Sequence, residues 1–166
     1  MAALALFAAG VVFTMISAAT TTTVILVRHA EKELGTIADP PLSDEGARRA
    51  QRLAELLAVP DEGGKIAGIY VTDTRRTQQT ANPLATRLQL RTVALPATDV
   101  SEIAARALRE FRGKRVLIVG HSNTVPELVH ELSSQRVPAI ADDDFGNVYI
   151  VSVPSIGTAN VLRMRY

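Results

Sequence analysis

Two short apolar runs constrain the fold of this chain more than any other feature. Val24-Ile25-Leu26-Val27 and Val116-Leu117-Ile118-Val119 are unbroken blocks of β-branched and aliphatic side chains with no polar alternation. Blocks of this kind read as strands buried on both faces, so other structure must cover them above and below. Each run ends abruptly in polar residues, Arg28-His29 after the first and Gly120-His121 after the second. A side chain at the carboxyl end of a central strand in an α/β protein points into the crevice where ligands bind. Arginine there holds an oxyanion through two parallel hydrogen bonds. Histidine beside it serves as nucleophile, base or ligand. The pairing points to phosphate chemistry.

The stretches between and around these runs supply the covering layers. Lys32 to Leu42 reads as a loop containing Gly35 and Pro40-Pro41. Ser43 is a good N-cap, with Asp44 and Glu45 in the first turn, where the helix dipole favours acids. Ala47, Ala50, Leu53, Ala54 and Leu57 form the apolar stripe of that helix. Arg48, Arg49 and Arg52 lie off the stripe and read as solvated, and Pro60 and Gly63-Gly64 end the helix. A second strand is predicted over Ile66–Val71, a helix from about Asp73 to Leu88, a third strand over Thr92–Leu95, and a helix over Asp99–Phe111 stopped by Gly113. After the second apolar run come a helix over Val125–Ser133 and two closing strands, Val148–Val153 and Asn160–Met164, around a Gly157 turn. The alternation predicts an α/β fold: a three-layer α/β/α sandwich with a mainly parallel sheet and helices on both faces.

At 166 residues the chain supports one domain, over residues 24–166. Residues 1–23 carry no charged side chain, and Ala2 to Ala19 is almost wholly apolar. Ser17 and Ala19 are small residues where a signal peptidase would cut. The segment reads as a secretory signal or a short membrane anchor, although no Lys or Arg precedes the apolar run. An exported domain, periplasmic or extracellular, is expected, and it stays membrane-anchored if the segment is not cleaved. The formal net charge of +1 and the 4% aromatic content argue against a nucleic-acid partner. The absence of cysteine excludes disulfides and thiolate chemistry, and three histidines without ligand spacing argue against a metal site.

Three segments deliver polar residues to strand ends or helix starts. The first is Arg28-His29. In the second, Tyr70 to Ala81, a cap at Thr72 or Thr74 puts Arg76 in the first turn of a helix, close to N–H groups that attract anions. In the third, Thr124 and Glu127 have capping-box spacing and Pro126 fits a first turn, so His121, Ser122 and Asn123 occupy a strand-to-helix turn. Two arginines, two histidines and two helix N-termini converging at one sheet end would hold a dianion and stabilise a transferring phosphoryl group. Nearby cations disfavour the imidazolium, so His29 stays neutral and nucleophilic. The arginines do the work of a cation, and neither a metal nor a cofactor is expected.

These residues resemble the histidine phosphatase superfamily, also called the phosphoglycerate mutase-like family. Val27-Arg28-His29-Ala30-Glu31 looks like its Arg-His-Gly/Ala signature, and Leu42-Ser43-Asp44-Glu45-Gly46 like its Leu-Ser/Thr-x-x-Gly element. Arg76-Thr77-Gln78-Gln79-Thr80-Ala81 looks like its Arg-x-x-x-Thr-Ala helix start, and Gly120-His121-Ser122-Asn123 like its Gly-His-x-x turn. The resemblance spans Val24 to about Glu131 in the family's order. It implies His29 as the phosphorylated nucleophile, with Arg28, Arg76 and His121 binding the phosphoryl group and Ser122 and Asn123 in secondary contact.

One branch of the family places an Asp directly after the second histidine, where this chain has Ser122. The other places the general acid between the second arginine and second histidine, an interval holding Asp99, Glu102 and Glu110. Asp99 is the first choice, although Asp99 and Glu102 also have capping-box spacing. Some short members lack this acid and act on phosphohistidine, whose leaving nitrogen needs less help. The resulting expectation is hydrolysis of a phosphomonoester or phosphohistidine, the substrate being a small phosphorylated metabolite or a phosphohistidine protein. Mutase-type phosphoryl transfer and a non-catalytic phosphate- or phosphoprotein-binding module are the alternatives. A serine-hydrolase elbow at Ser122 is disfavoured, because Thr124 replaces its final glycine and His130 is too near to complete a triad. His130 reads as exposed, Asp142-Asp143-Asp144 as an acidic surface loop, and Glu31 as the partner of a neighbouring cation.

Overall fold

The computed structural model describes residues 20–35, 38–58 and 64–166. Most of the expected leader, together with Pro60 and Gly63, lies outside the described residues. The elements are β1 (Thr22–Arg28), α1 (Asp44–Leu57), β2 (Ile66–Thr72), α2 (Arg75–Leu88), β3 (Thr92–Leu95), α3 (Val100–Glu110), β4 (Arg115–Gly120), α4 (Thr124–Ser133), β5 (Asn147–Val153) and β6 (Asn160–Arg165). The strands form one sheet in the order β3-β2-β4-β1-β5-β6. The four strands from β3 to β1 run parallel, and the β5–β6 hairpin adds antiparallel to β1.

The two apolar runs are the central neighbours β1 and β4, in register from Thr23 opposite Arg115 to Arg28 opposite Gly120. Successive strand residues point to opposite faces, and helices cover both. Ile25, Val27, Leu117 and Val119 pack against Leu53 and Ala54 of α1 and Ala81, Leu84 and Ala85 of α2. Val24, Leu26, Val116 and Ile118 pack against Ile103 and Ala107 of α3 and Leu128 and Val129 of α4. A strand covered on both sides has no solvent face, which is why neither run alternates. Leu26, Leu53, Leu84, Leu117 and Leu128 are buried in these layers, each contributing about 1.5–3 kcal/mol.

Helix starts depart from expectation in three places. Ser43 caps α1 as predicted, its hydroxyl accepting from the Gly46 N–H. At α4 the Thr124–Glu127 capping box does not form: Asn123 holds the cap position and Thr124 is the first helical residue. Thr124 Oγ1 instead turns back to accept the His121 N–H at 2.8 Å, because the tight turn after Gly120 brings that amide within reach. At α3, Asp99 stands at the cap position without a capping hydrogen bond. Its carboxylate accepts from the Thr98 hydroxyl, and Glu102 pairs with Arg109, so the second capping box is also absent. Finally, α2 begins at Arg75, after a turn tied by the hydroxyls of Thr72, Thr74 and Thr77.

Candidate active site

The β1–β4 register brings the two histidines together. Beyond the Arg28–Gly120 pair, the His29 N–H donates to the Gly120 carbonyl at 2.9 Å. The His29 and His121 rings stand 5.3 Å apart, centroid to centroid, at 67°. His29 is buried, and its Nδ1 lies 2.8 Å from the Ala30 carbonyl oxygen. A carbonyl only accepts, so Nδ1 carries the proton and Nε2 keeps its lone pair. Burial, helped by the charges of His121, Arg76 and Arg28 and opposed by the Ala30 bond, holds the imidazole down at about 3. His29 is therefore neutral at pH 7.

His121 has the opposite tautomer. Its Nδ1 faces Arg76 Nη2 at 3.3 Å, and a guanidinium only donates. Nε2 therefore carries the proton and donates to Thr72 Oγ1 at 2.8 Å. Thr72 passes the bond on to Thr77 Oγ1 at 3.0 Å, and Thr77 ends the chain on backbone carbonyls of Thr72 and Thr74. Burial and the Arg76 charge lower His121 to about 4.

The arginines are held by contacts distant in sequence. Arg28 is buried; its Nη1 donates to the carbonyls of Ala141 (2.6 Å) and Asp144 (3.2 Å), and its guanidinium carbon sits 4.2 Å from the Phe145 ring centre. Its Nε is buried without a partner, and desolvation lowers its pKa. Arg76 sits in the first turn of α2. Asp39 bridges to it, accepting from the Arg75 N–H at 3.0 Å and from Arg76 Nη1 at 3.4 Å. Thr80 locks the same turn to the segment after β1, accepting from the Ala30 N–H and donating to the Arg76 carbonyl.

Arg28, His29, Arg76, His121, Ser122 and Asn123 all line one cavity of about 890 Å³. Leu34, Ala97 and Phe145 give it apolar walls, and Lys32, Asp142 and Asp143 give it charged ones. Asp99 is exposed and does not line this cavity. Glu102 is paired with Arg109, and Glu110 accepts from the Tyr70 hydroxyl at 2.6 Å and from Arg106. Glu31 does line the cavity, but Arg49 clasps it: Nε bonds both carboxylate oxygens at 2.8 and 2.9 Å, and Nη2 approaches to 2.6 Å. Burial alone would raise the Glu31 carboxyl, and the Arg49 bonds outweigh it and hold it below its ordinary range. Arg49, read as solvated, is thus the cation that Glu31 was expected to find. The acidic loop is likewise more than surface: Asp142 and Asp143 are exposed at the cavity, while Asp144 pairs with Arg165 and lends its carbonyl to Arg28. Asp39 and Phe145 were not anticipated. Asp39 announces itself only as an acid before Pro40-Pro41, and Phe145 only as an aromatic among acids.

Residues 24–99 match the family model described as the histidine phosphatase superfamily, branch 1. Over those residues, somewhat under half of its length, the chain is similar to that superfamily. No curated protein matches it in sequence. Among solved structures, the protein histidine phosphatase SixA complexed with tungstate is 22% identical, with a TM-score of 0.71 over 86% of this chain and 96% of that one. A mycobacterial glucosyl-3-phosphoglycerate phosphatase is 14% identical, with a TM-score of 0.69 over 88% and 98%. A phosphoglycerate mutase from Plasmodium falciparum is 19% identical, with a TM-score of 0.63 over 87% and 91%. At these identities the likeness is one of fold, and this chain has the phosphoglycerate mutase-like α/β architecture.

Proposed function

We propose that this protein is a phosphatase that works through a covalent phosphohistidine on His29. The observation that carries the reading is the Nδ1 bond to the Ala30 carbonyl, which leaves the Nε2 lone pair of a neutral imidazole available beside two arginines. Nε2 attacks phosphorus, and the bond from phosphorus to the leaving group breaks. Water then attacks phosphorus, the P–Nε2 bond breaks, and inorganic phosphate leaves. Arg28 and Arg76 neutralise the phosphoryl oxygens, so the mechanism assigns the positive charge to the protein rather than to a metal. His121 shares this cradle, and Ser122 and Asn123 contact the substrate.

The leaving group separates the substrates. An alkoxide needs a proton from an acid; none of Asp99, Glu102 and Glu110 lines the cavity, and of the acids that do, Glu31 is clasped by Arg49 and Asp142 and Asp143 are solvent-exposed. This supports phosphohistidine, with a less basic leaving nitrogen, over a simple phosphomonoester. Phosphoglycerate mutase-type transfer would require the phosphoryl group to be shielded from water, and the exposed Leu34, Asp142 and Asp143 at the cavity favour hydrolysis.

Incubation with a phosphohistidine peptide and with p-nitrophenyl phosphate tests the proposal. Rapid quenching should trap an acid-labile phosphoryl adduct on His29, and His29→Ala should lower phosphate release by about a thousandfold or more. Full activity in that variant sinks the assignment, and phosphate binding without release identifies a binding module instead. We further propose that residues 1–23 are a signal or membrane anchor and that the domain is exported; the amino-terminal sequence of protein recovered from its native cell reads this out.

A further inference from the structure

We infer that the end of the sheet opposite the cavity is a docking surface for an anionic lipid bilayer. The strands of β1, β2 and β4 begin at that end, about 20 Å from their catalytic ends for a strand of seven residues. Two surface hollows flank the start of β1. One is lined by Lys65, Lys114 and Arg115, the other by Arg109 and Arg112, and among the described residues neither is lined by a carboxylate. Arg109 is engaged by Glu102. Among the described residues, no acidic side chain forms an ion pair with Lys65, Arg112, Lys114 or Arg115. The nearest acids in sequence are Glu110, which pairs with Arg106, and Asp61 and Glu62, which lie outside the described residues.

Two further observations select a bilayer over another polyanion. The chain enters the domain between these hollows, where the Ser155 hydroxyl donates to the Thr20 carbonyl, and the 19 residues before that point carry no charge and are mostly apolar. Beside the same point, in the turn between β5 and β6, Ile156 is 70% exposed. An exposed isoleucine, cations that make no ion pair among the described residues, and an apolar sequence preceding that point suit a surface whose interior is hydrocarbon and whose face is anionic. Docked this way, the domain holds its cavity toward solution. The inference does not depend on the phosphatase reading.

The test uses the full chain and sedimentation with vesicles of phosphatidylcholine alone or mixed with phosphatidylglycerol. Partitioning should favour the anionic vesicles by tenfold or more at low salt, and the preference should shrink as salt rises. The triple variant Lys65→Glu, Arg112→Glu, Lys114→Glu should lose that preference, and the corresponding Gln variant should fall between it and the unaltered protein. Circular dichroism confirms that each variant is folded, and unchanged phosphate release confirms an intact cavity. Equal partitioning into both vesicle types, or an unchanged preference in a folded Glu variant, overturns the inference. Tighter retention on duplex DNA than on the vesicles also overturns it.

Discussion

His29 is kept neutral by the burial that keeps it in place, and this links the site to stability. In the unfolded chain both site histidines bind a proton near pH 6.5, whereas in the folded protein they resist protonation until about 3 for His29 and about 4 for His121. Between those limits the unfolded state binds more protons, so stability is fully present above about pH 6.5 and is lost as the pH falls toward 4. Thermal midpoints measured from pH 7.5 down to 5 should fall, and His29→Asn should flatten the slope; a flat wild-type profile would contradict the burial argument. A second residue-scale prediction concerns Arg49, which with Glu31 forms a pair whose side chains are only 16% and 17% exposed. Arg49→Ala should cost about 1–2 kcal/mol in urea denaturation, between the surface and buried limits. Arg28, His29, Arg76 and His121 were legible in the sequence because each stands at the end of an element whose type its neighbours reveal. Arg49 and Asp39 were not, because their roles are set by partners 18 and 37 residues away, and no local pattern encodes that distance.

At the scale of elements, the glycine of the Leu42–Gly46 motif has a steric reason. A Cβ on Gly46 would lie 2.0 Å from the Glu31 carbonyl oxygen, a backbone atom that no rotamer change can remove. The first turn of α1 must approach the segment after β1 this closely because the Ser43 N–H donates to the same carbonyl at 3.0 Å. Gly46→Ala should therefore destabilise by about 1–3 kcal/mol and displace Glu31 from the cavity wall, as read by denaturation and by a raised KM. Asp39 makes a cap for α2 from outside the helix, and Asp39→Ala should cost about 1 kcal/mol in the same assay. The element order was legible because two unbroken apolar blocks and four amphipathic stripes leave few other arrangements. The caps at α3 and α4 were not. Thr124 and Asp99 have the chemistry of caps, but groups just before them in the chain, the His121 amide and the Thr98 hydroxyl, claim their oxygens.

For the whole molecule, the strand order decides when a site can exist. β1 ends in Arg28 and leads directly into His29, yet both its partners, β4 and β5, come from the second half of the chain. The first contact across that seam, Thr23 with Arg115, closes a loop of about ninety residues. A fragment ending at residue 113 should accordingly show β2 and the early helices at most marginally formed, with β1 amides unprotected against hydrogen exchange; strong protection there would mean that β1 has another partner. Non-local pairing of this kind also slows folding. A ribosome that has completed two thirds of this polypeptide has thus assembled no cradle at all, and until β4 arrives the nascent β1 is an open, sticky ribbon that a chaperone or a translocation channel can still hold.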